Sequence, residues 1–115
     1  MNNRSIGASK EREAAEYLAA RGYRILEQNF HCRRGEIDII AWQNGMVVFV
    51  EVKYRSGKKS GMPGEAVNKT KQRRIVCAAK QYLMQEGLWE QTACRFDVIA
   101  ICGDEIVHYR NAFLS

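Results

Sequence analysis

The chain has 115 residues, of which 46% are hydrophobic, and its formal net charge is +5. This length suits one domain with a modest core, and a single proline without any low-complexity tract excludes a linker between two folding units. No run approaches the roughly 20 apolar residues of a membrane-spanning helix and the N-terminus is polar, so we expect one cytoplasmic domain over residues 1–115, with no membrane partner.

The N-terminal part of the chain predicts a helix followed by a strand. Residues 5–21 are rich in Ala and Glu, and Leu18 belongs to an apolar face at helical spacing. Gly22 is expected to end this helix, because glycine readily adopts the left-handed conformation of a helix C-cap. Residues 23–30 alternate imperfectly between apolar and polar types and predict a short strand.

Next comes a predicted β-hairpin, with strands at residues 36–42 and 46–53 on either side of Asn44-Gly45. This dipeptide is the strongest short hairpin signal, because a type I′ turn needs positive φ at both central residues. One side of the hairpin is expected to be apolar and to pack against a helix. Its members are Ile37, Ile39, Ala41, Val48, Val50 and Val52.

The other side of the hairpin is expected to carry four charged residues. With Asn44-Gly45 as the turn centre, the numbers of opposing residues sum to 89, so Asp38 faces Glu51 and Glu36 faces Lys53. Side chains alternate between the two faces of a strand, and all four therefore project from the same side.

Facing carboxylates repel each other and destabilise a strand pair unless a cation lies between them. Asp38 and Glu51 supply the hard oxygen ligands that suit Mg²⁺ or Mn²⁺, and Lys53 on the same face would orient a water nucleophile or neutralise charge on a phosphate. Glu36 is assigned a supporting role that positions Lys53. The alternative is an exposed lattice of salt bridges without catalytic function.

The remaining chain predicts a loop at residues 55–64, a helix at residues 65–86 that ends at Gly87, and strands at residues 94–102 and 105–109. The resulting α-β-β-β-α-β-β order indicates an α/β (α+β) fold with a central mixed sheet flanked by helices.

Positive charge is concentrated in residues 53–80, where nine basic residues accompany one acidic residue. This segment carries +8, so the rest of the chain carries −3. Such a segment favours nucleic acid as a partner, although a solvated basic helix face is the alternative. The candidate phosphate-binding residues are Arg55, Lys58, Lys59, Lys69, Lys71, Arg73 and Arg74.

Three further polar residues are predicted to be structural. Asp97 lies inside an apolar strand and is expected to serve as a hydrogen-bonding residue. His31 and His108 lack the spacing of metal ligands, so each is predicted to be a surface or strand-edge residue.

An acidic residue on one strand and Glu51-Val52-Lys53 on the next, with a helix before and a helix after, resemble the PD-(D/E)XK nuclease superfamily and its restriction-endonuclease-like core. Nearly the whole chain also resembles the YraN-like family of small bacterial proteins, which is similar to archaeal Holliday-junction resolvases. The residues that carry this resemblance are Glu11, residues 14–18, Gly22-Tyr23, Asn29-Phe30, residues 35–38, residues 49–53, Arg55, Gly61, Val67, Lys71 and residues 95–98.

The resemblance implies roles for individual residues. Asp38 and Glu51 would bind the metal together with the backbone carbonyl of Val52, and Lys53 would be the catalytic lysine. Glu11 would match a helix glutamate that approaches the metal directly or through water. Related resolvases pair to cut two strands, so a homodimer is also implied.

The sequence therefore predicts a divalent-metal-dependent endonuclease that hydrolyses DNA, including branched or junction DNA. The alternative is a non-catalytic nucleic-acid-binding module with a nuclease fold, within a DNA repair or recombination complex. A third interpretation is an interaction partner in such a complex that docks through the loop at residues 55–64.

Overall fold

The computed structural model describes residues 3–55 and 67–113, and its elements follow the predicted α-β-β-β-α-β-β order. None of the helices in these two ranges is both long and apolar enough to cross a membrane. The elements are α1 (Asn3–Ala20), β1 (Arg24–Cys32), β2 (Gly35–Gln43), β3 (Met46–Arg55), α2 (Lys69–Gln85), β4 (Ala93–Cys102) and β5 (Glu105–Phe113).

The five strands form one mixed sheet in the order β1-β2-β3-β4-β5. The β3–β4 pair is parallel and the other three pairs are antiparallel. A parallel pair needs a long crossover connection, which contains α2, whereas the antiparallel pairs are joined by short turns. The predicted mixed sheet flanked by helices is therefore confirmed.

The two helices cover opposite faces of the sheet. Alternate residues of β3 show this arrangement, because Val47 and Phe49 pack in the cluster that contains α2, while Val48 and Val50 pack in the cluster that contains α1. Both faces are buried, which explains why β3 is a continuous apolar run rather than an alternating one.

Both predicted glycine caps are present. Gly22 has φ +89°, its N–H donates to Ala19 at 3.1 Å, and the N–H of Tyr23 donates to Leu18 at 3.0 Å. These two bonds form a Schellman motif that ends α1 and turns the chain into β1. Gly87 has φ +71° and ends α2 in the same way.

Helix α2 begins at Lys69, and the predicted start at residue 65 lies outside the described residues. Asn68 is its N-cap, because the Asn68 side chain accepts a hydrogen bond from the N–H of Lys71 at 2.8 Å. That bond satisfies a donor which has no partner within the helix. Strand β5 continues to Phe113, beyond the predicted end at residue 109, and Phe113 stacks on Phe96 at 5.1 Å.

The predicted hairpin register is correct next to the turn. Asn44 and Gly45 have φ +50° and +77°, as a type I′ turn requires. Paired positions run from Gln43 with Met46 to Ile39 with Val50, and each pair sums to 89.

The regular pairing ends at Asp38, where the prediction fails in two respects. Ile37 packs on the α2 face, whereas Ile39 packs on the α1 face. Residues two positions apart in a regular strand lie on the same face, so β2 is irregular between Ile37 and Ile39. Glu36 pairs with His31 of β1 rather than facing Lys53.

Candidate functional site

Asp38 and Glu51 meet at the point where β2 and β3 stop pairing. Glu51 is buried on β3, with 6% of its surface exposed, and its carboxyl lies within hydrogen-bonding distance of Asp38. The N–H of Val52 donates to Oδ2 of Asp38 at 2.8 Å. Because β2 is irregular here, the Asp38 carboxylate accepts a hydrogen bond from the β3 backbone. This bond replaces a backbone hydrogen bond of a regular strand pair.

The surroundings of this pair oppose a double negative charge. Burial, followed by the charge of Asp38, raises the pKa of Glu51 to about 8, and Lys71 acts in the opposite direction. Burial also raises the pKa of Asp38, against the hydrogen bond from Val52. Binding of a proton or of a divalent cation would relieve the repulsion between the two carboxyl groups.

Lys71 belongs to this site as well as to the basic segment. It lies in the first turn of α2, and its Nζ is 3.4 Å from Oε2 of Glu51. The sequence predicted a phosphate contact for Lys71 but did not predict its ion pair with Glu51. The predicted helix began at residue 65 and placed Lys71 in its second turn, and the face that this part of the helix presents to β3 depends on how α2 packs.

Glu11 of α1 also approaches the acidic pair. It is half-buried, and burial followed by the charge of Asp38 raises its pKa, against the opposite effect of the Asn29 side chain. Asn29 has φ +55° and lies opposite Asp38, between the pairs Gln28–Ile39 and Phe30–Ile37. Helices from both faces of the sheet thus contribute polar residues to one site.

The other predicted site residues lie around this centre. Lys53 is half-buried and, by alternation along β3, is on the same side as Glu51. Glu36 is exposed and forms an ion pair with His31 at 3.1 Å. Its partner is therefore His31 and not Lys53, which the sequence had predicted. Four of the predicted phosphate-binding residues are exposed on β3 and α2, namely Arg55, Lys69, Arg73 and Arg74. Lys58 and Lys59 lie outside the described residues.

The acidic side chains of the site can be compared with the ligands that divalent cations require. Within residues 3–55 and 67–113, no three His, Cys, Asp or Glu side chains form a ready cluster for a metal ion. Mg²⁺, however, is commonly bound through one or two carboxylates, with waters and substrate phosphates completing the shell. The pair of the half-buried Asp38 and the buried Glu51 fits that requirement.

A second buried carboxylate, Asp97, has a different environment. Arg95 donates to both of its oxygens at 2.8 and 2.9 Å, Nε2 of His108 lies 2.7 Å away, and the N–H of Asn111 donates at 2.8 Å. Despite the desolvation that burial imposes, the bonds from His108, Arg95 and Asn111 lower its pKa. The predicted structural role of Asp97 is therefore confirmed.

His31 and His108 both lie on edge strands of the sheet, as predicted, but only His31 is exposed. The His108 side chain is only 7% exposed, and it packs beside the rings of Tyr17 and Tyr23. His108 pairs regularly with Ile99 on the sheet face that α1 covers. The bulge of β5 lies opposite Asp97, where Asn111 has φ +54° and donates its N–H to Asp97.

Metal-free protein is expected to lose stability as the pH rises. The pKa of Glu51 is about 8 in the folded state and 4.5 for the unperturbed group, so folding favours the protonated form. The associated stability is complete below pH 4.5 and is lost as the pH passes through about 8. Urea denaturation in EDTA should give an unfolding free energy that is roughly 2–4 kcal/mol lower at about pH 9 than at about pH 5.

Glu51→Gln should largely flatten this pH dependence, because glutamine cannot ionise. The exposed residue Glu105 provides a matched control, and Glu105→Gln should retain the slope of the parent. Equal slopes for Glu51→Gln and the parent would contradict the raised pKa.

Comparison with known proteins assigns the chain to a family. A model described as "Uncharacterised protein family UPF0102" matches residues 10–101. The chain is 52% identical over 113 residues to a UPF0102 protein of Lachnoclostridium phytofermentans, with 98% of this chain and 96% of that protein covered. It is 40% identical over 119 residues to one from Desulforamulus reducens, with 97% and 98% covered. The chain therefore belongs to the uncharacterised protein family UPF0102, the YraN-like family that its sequence resembles.

Proposed function

We propose that this protein is a divalent-metal-dependent endonuclease that hydrolyses DNA phosphodiesters. The observation that carries the proposal is the carboxylate pair of the buried Glu51 and the half-buried Asp38, in which burial, followed by the charge of Asp38, raises the pKa of Glu51. A buried pair of like charges destabilises a protein, so its presence calls for a ligand that benefits from it. Mg²⁺ or Mn²⁺ is that ligand, and basic residues nearby favour a phosphate-containing substrate.

In this proposal each side chain of the site has a separate role. Asp38 and Glu51 hold the cation, which supplies Lewis acidity toward the phosphate and toward a water nucleophile. Lys53, two residues after Glu51 on β3, orients the attacking water or neutralises charge that develops on the phosphate. Lys71 keeps its ammonium group 3.4 Å from Glu51 and so favours the ionised carboxylate that a cation requires. Glu11 adds a third acidic side chain from α1.

The fold is proposed to be a restriction-endonuclease-like core of the PD-(D/E)XK superfamily. The mixed five-stranded sheet between two helices supports this classification, as does the presence of Asp38 and Glu51 on adjacent strands at one end of the hairpin. A preference for branched or junction DNA and a homodimeric state come from the resemblance to resolvases and are part of the same proposal.

The test is a cleavage assay with purified protein on single-stranded, duplex and four-way-branched DNA. We expect cleavage in Mg²⁺ or Mn²⁺, none in EDTA, and the highest rate on branched DNA. Absence of cleavage on all three substrates with both metals would overturn the enzyme assignment.

The second candidate function is a non-catalytic nucleic-acid-binding module that keeps the fold and the basic surface. It is favoured by the lack of a ready three-ligand cluster among the residues that the structure describes. DNA binding that depends on salt, but is unaffected by metal and by Asp38→Ala, would support this function.

A further inference from the structure

A basic cleft lies between the β1–β2 turn and helix α2, beside the acidic pair. Its volume is about 360 Å³, which is within the size range of small-ligand sites. The charged residues that line it are His31, Arg33, Arg34, Glu36, Lys71 and Arg74. Arg33 and Arg34 lie on the turn and are outside the basic segment at residues 53–80.

The net charge of the cleft is strongly positive. Arg33, Arg34, Lys71 and Arg74 contribute four permanent or near-permanent positive charges, whereas Glu36 is the one carboxylate and lies 3.1 Å from Nδ1 of His31. Cations gathered on the walls of a concave site repel one another and attract an anion. Arginine is especially suited to phosphate, because its planar guanidinium donates two parallel hydrogen bonds.

Helix α2 strengthens this positive potential. Its first turn contains no acidic residue, and Lys69 and Lys71 lie at the end where the helix dipole is itself positive. Cations at a helix N-terminus cost about 0.3–1 kcal/mol each, since acidic residues are the ones stabilised there. A bound phosphate near this turn would offset that cost.

The walls of the cleft are held together tightly. A Cβ on Gly35 would lie 2.5 Å from the backbone oxygen of Arg74, so only glycine allows the turn to approach α2 this closely. Arg33 and Arg34 on the turn are thereby held next to Arg74 on the helix. A preorganised site of this kind loses less conformational entropy when it binds its ligand.

Lys71 connects the cleft to the acidic pair. It lines the cleft, and its Nζ is 3.4 Å from Oε2 of Glu51. The cleft and the acidic pair therefore adjoin each other through the side chain of Lys71.

We propose that this cleft binds one backbone phosphate of a nucleic acid strand, adjacent to the phosphodiester that is cut. Only the position of the cut rests on the proposed function, because phosphate binding in the cleft requires no metal. The ligand class is a nucleic acid phosphodiester, and the principal contacts are Arg33, Arg34 and Arg74.

The test compares two double variants that remove the same charge. Arg33→Ala/Arg34→Ala empties the turn side of the cleft, whereas Arg24→Ala/Arg110→Ala removes exposed arginines at the start of β1 and on β5. Binding of fluorescently labelled DNA is measured by anisotropy in EDTA, from about 50 to about 200 mM salt. We expect the cleft variant to weaken binding at least about 10-fold more than the control and to reduce the slope of log Kd against log salt by about 1.

Matching affinities and slopes for the two double variants would overturn the cleft assignment, as would a parent protein that does not bind DNA. Calorimetric titration with Mn²⁺ should give the same affinity for the parent and the cleft variant, because Asp38 and Glu51 are unchanged. If the cleft variant loses binding as expected but the parent cuts no DNA, the cleft assignment stands and the endonuclease function fails.

Discussion

Replacing Asp38 by asparagine is expected to abolish metal-dependent cleavage while the protein remains folded. Asparagine keeps an oxygen that can accept the hydrogen bond from Val52 but removes the negative charge that a cation needs. It also removes the charge of Asp38, which after burial is the next cause of the raised pKa of Glu51, so the free energy of unfolding should stay the same or increase. Loss of a supporting partner alone lowers metal affinity or activity by about 10–100-fold, so loss of a ligand should lower the cleavage rate at least about 100-fold.

The measurements are the initial rate of DNA cleavage in Mn²⁺, Mn²⁺ binding by calorimetry, and urea denaturation. Glu105→Gln is the matched control, since Glu105 is an exposed carboxylate of β5 that does not line the cleft. The control should retain metal binding and most of the activity. An Asp38→Asn protein that binds Mn²⁺ and cuts DNA as the parent does would exclude Asp38 as a metal ligand.

Replacing Asp97 by alanine is expected to cause the largest loss of stability. Asp97 is fully buried and is hydrogen-bonded to Arg95, His108 and Asn111. Alanine would leave the buried Arg95 guanidinium without its carboxylate, and removal of one member of a buried ion pair typically costs about 3–5 kcal/mol. Urea denaturation at neutral pH should show a decrease of that size in the free energy of unfolding.

Two controls separate this effect from a general intolerance of β4 and β5. Glu105→Ala removes an exposed carboxylate from β5 and should change stability by no more than about 0.5 kcal/mol. Asp97→Asn keeps one acceptor and should have an intermediate effect. If Asp97→Ala were as stable as Glu105→Ala, the cluster around Asp97 would contribute nothing to stability.

The position of His108 shows what alternation along one strand does not reveal. β5 is the last strand of the sheet, so the predicted strand-edge position is correct. The His108 side chain is nevertheless largely buried, because it pairs with Ile99 on the face that α1 covers and packs beside the rings of Tyr17 and Tyr23. Which face a helix covers depends on contacts between segments that are distant in sequence, so the local pattern of β5 does not predict this burial.

Much of the fold could be predicted from the conformational preferences of residues that are close together in the sequence. The positive φ values that Asn44-Gly45 and Gly22 adopt are preferences of those residues themselves, and they determined where the hairpin turns and where α1 ends. The register near the turn followed from counting outward from it. The presence of Asp38 and Glu51 on neighbouring strands could therefore be predicted from the sequence alone.

Tertiary packing decided the details of the site. Between Ile37 and Ile39 the strand changes face, so counting from the turn could not describe the contacts of Asp38. Lys71 reaches Glu51 only because α2 crosses that face of the sheet, and Arg33 and Arg34 meet Arg74 only because Gly35 lets the turn approach the helix. By itself, the sequence determined which acidic residues lie together, because their strands are joined by a local turn. The structure decided which basic residues surround them, because those contacts join segments that are separated along the chain.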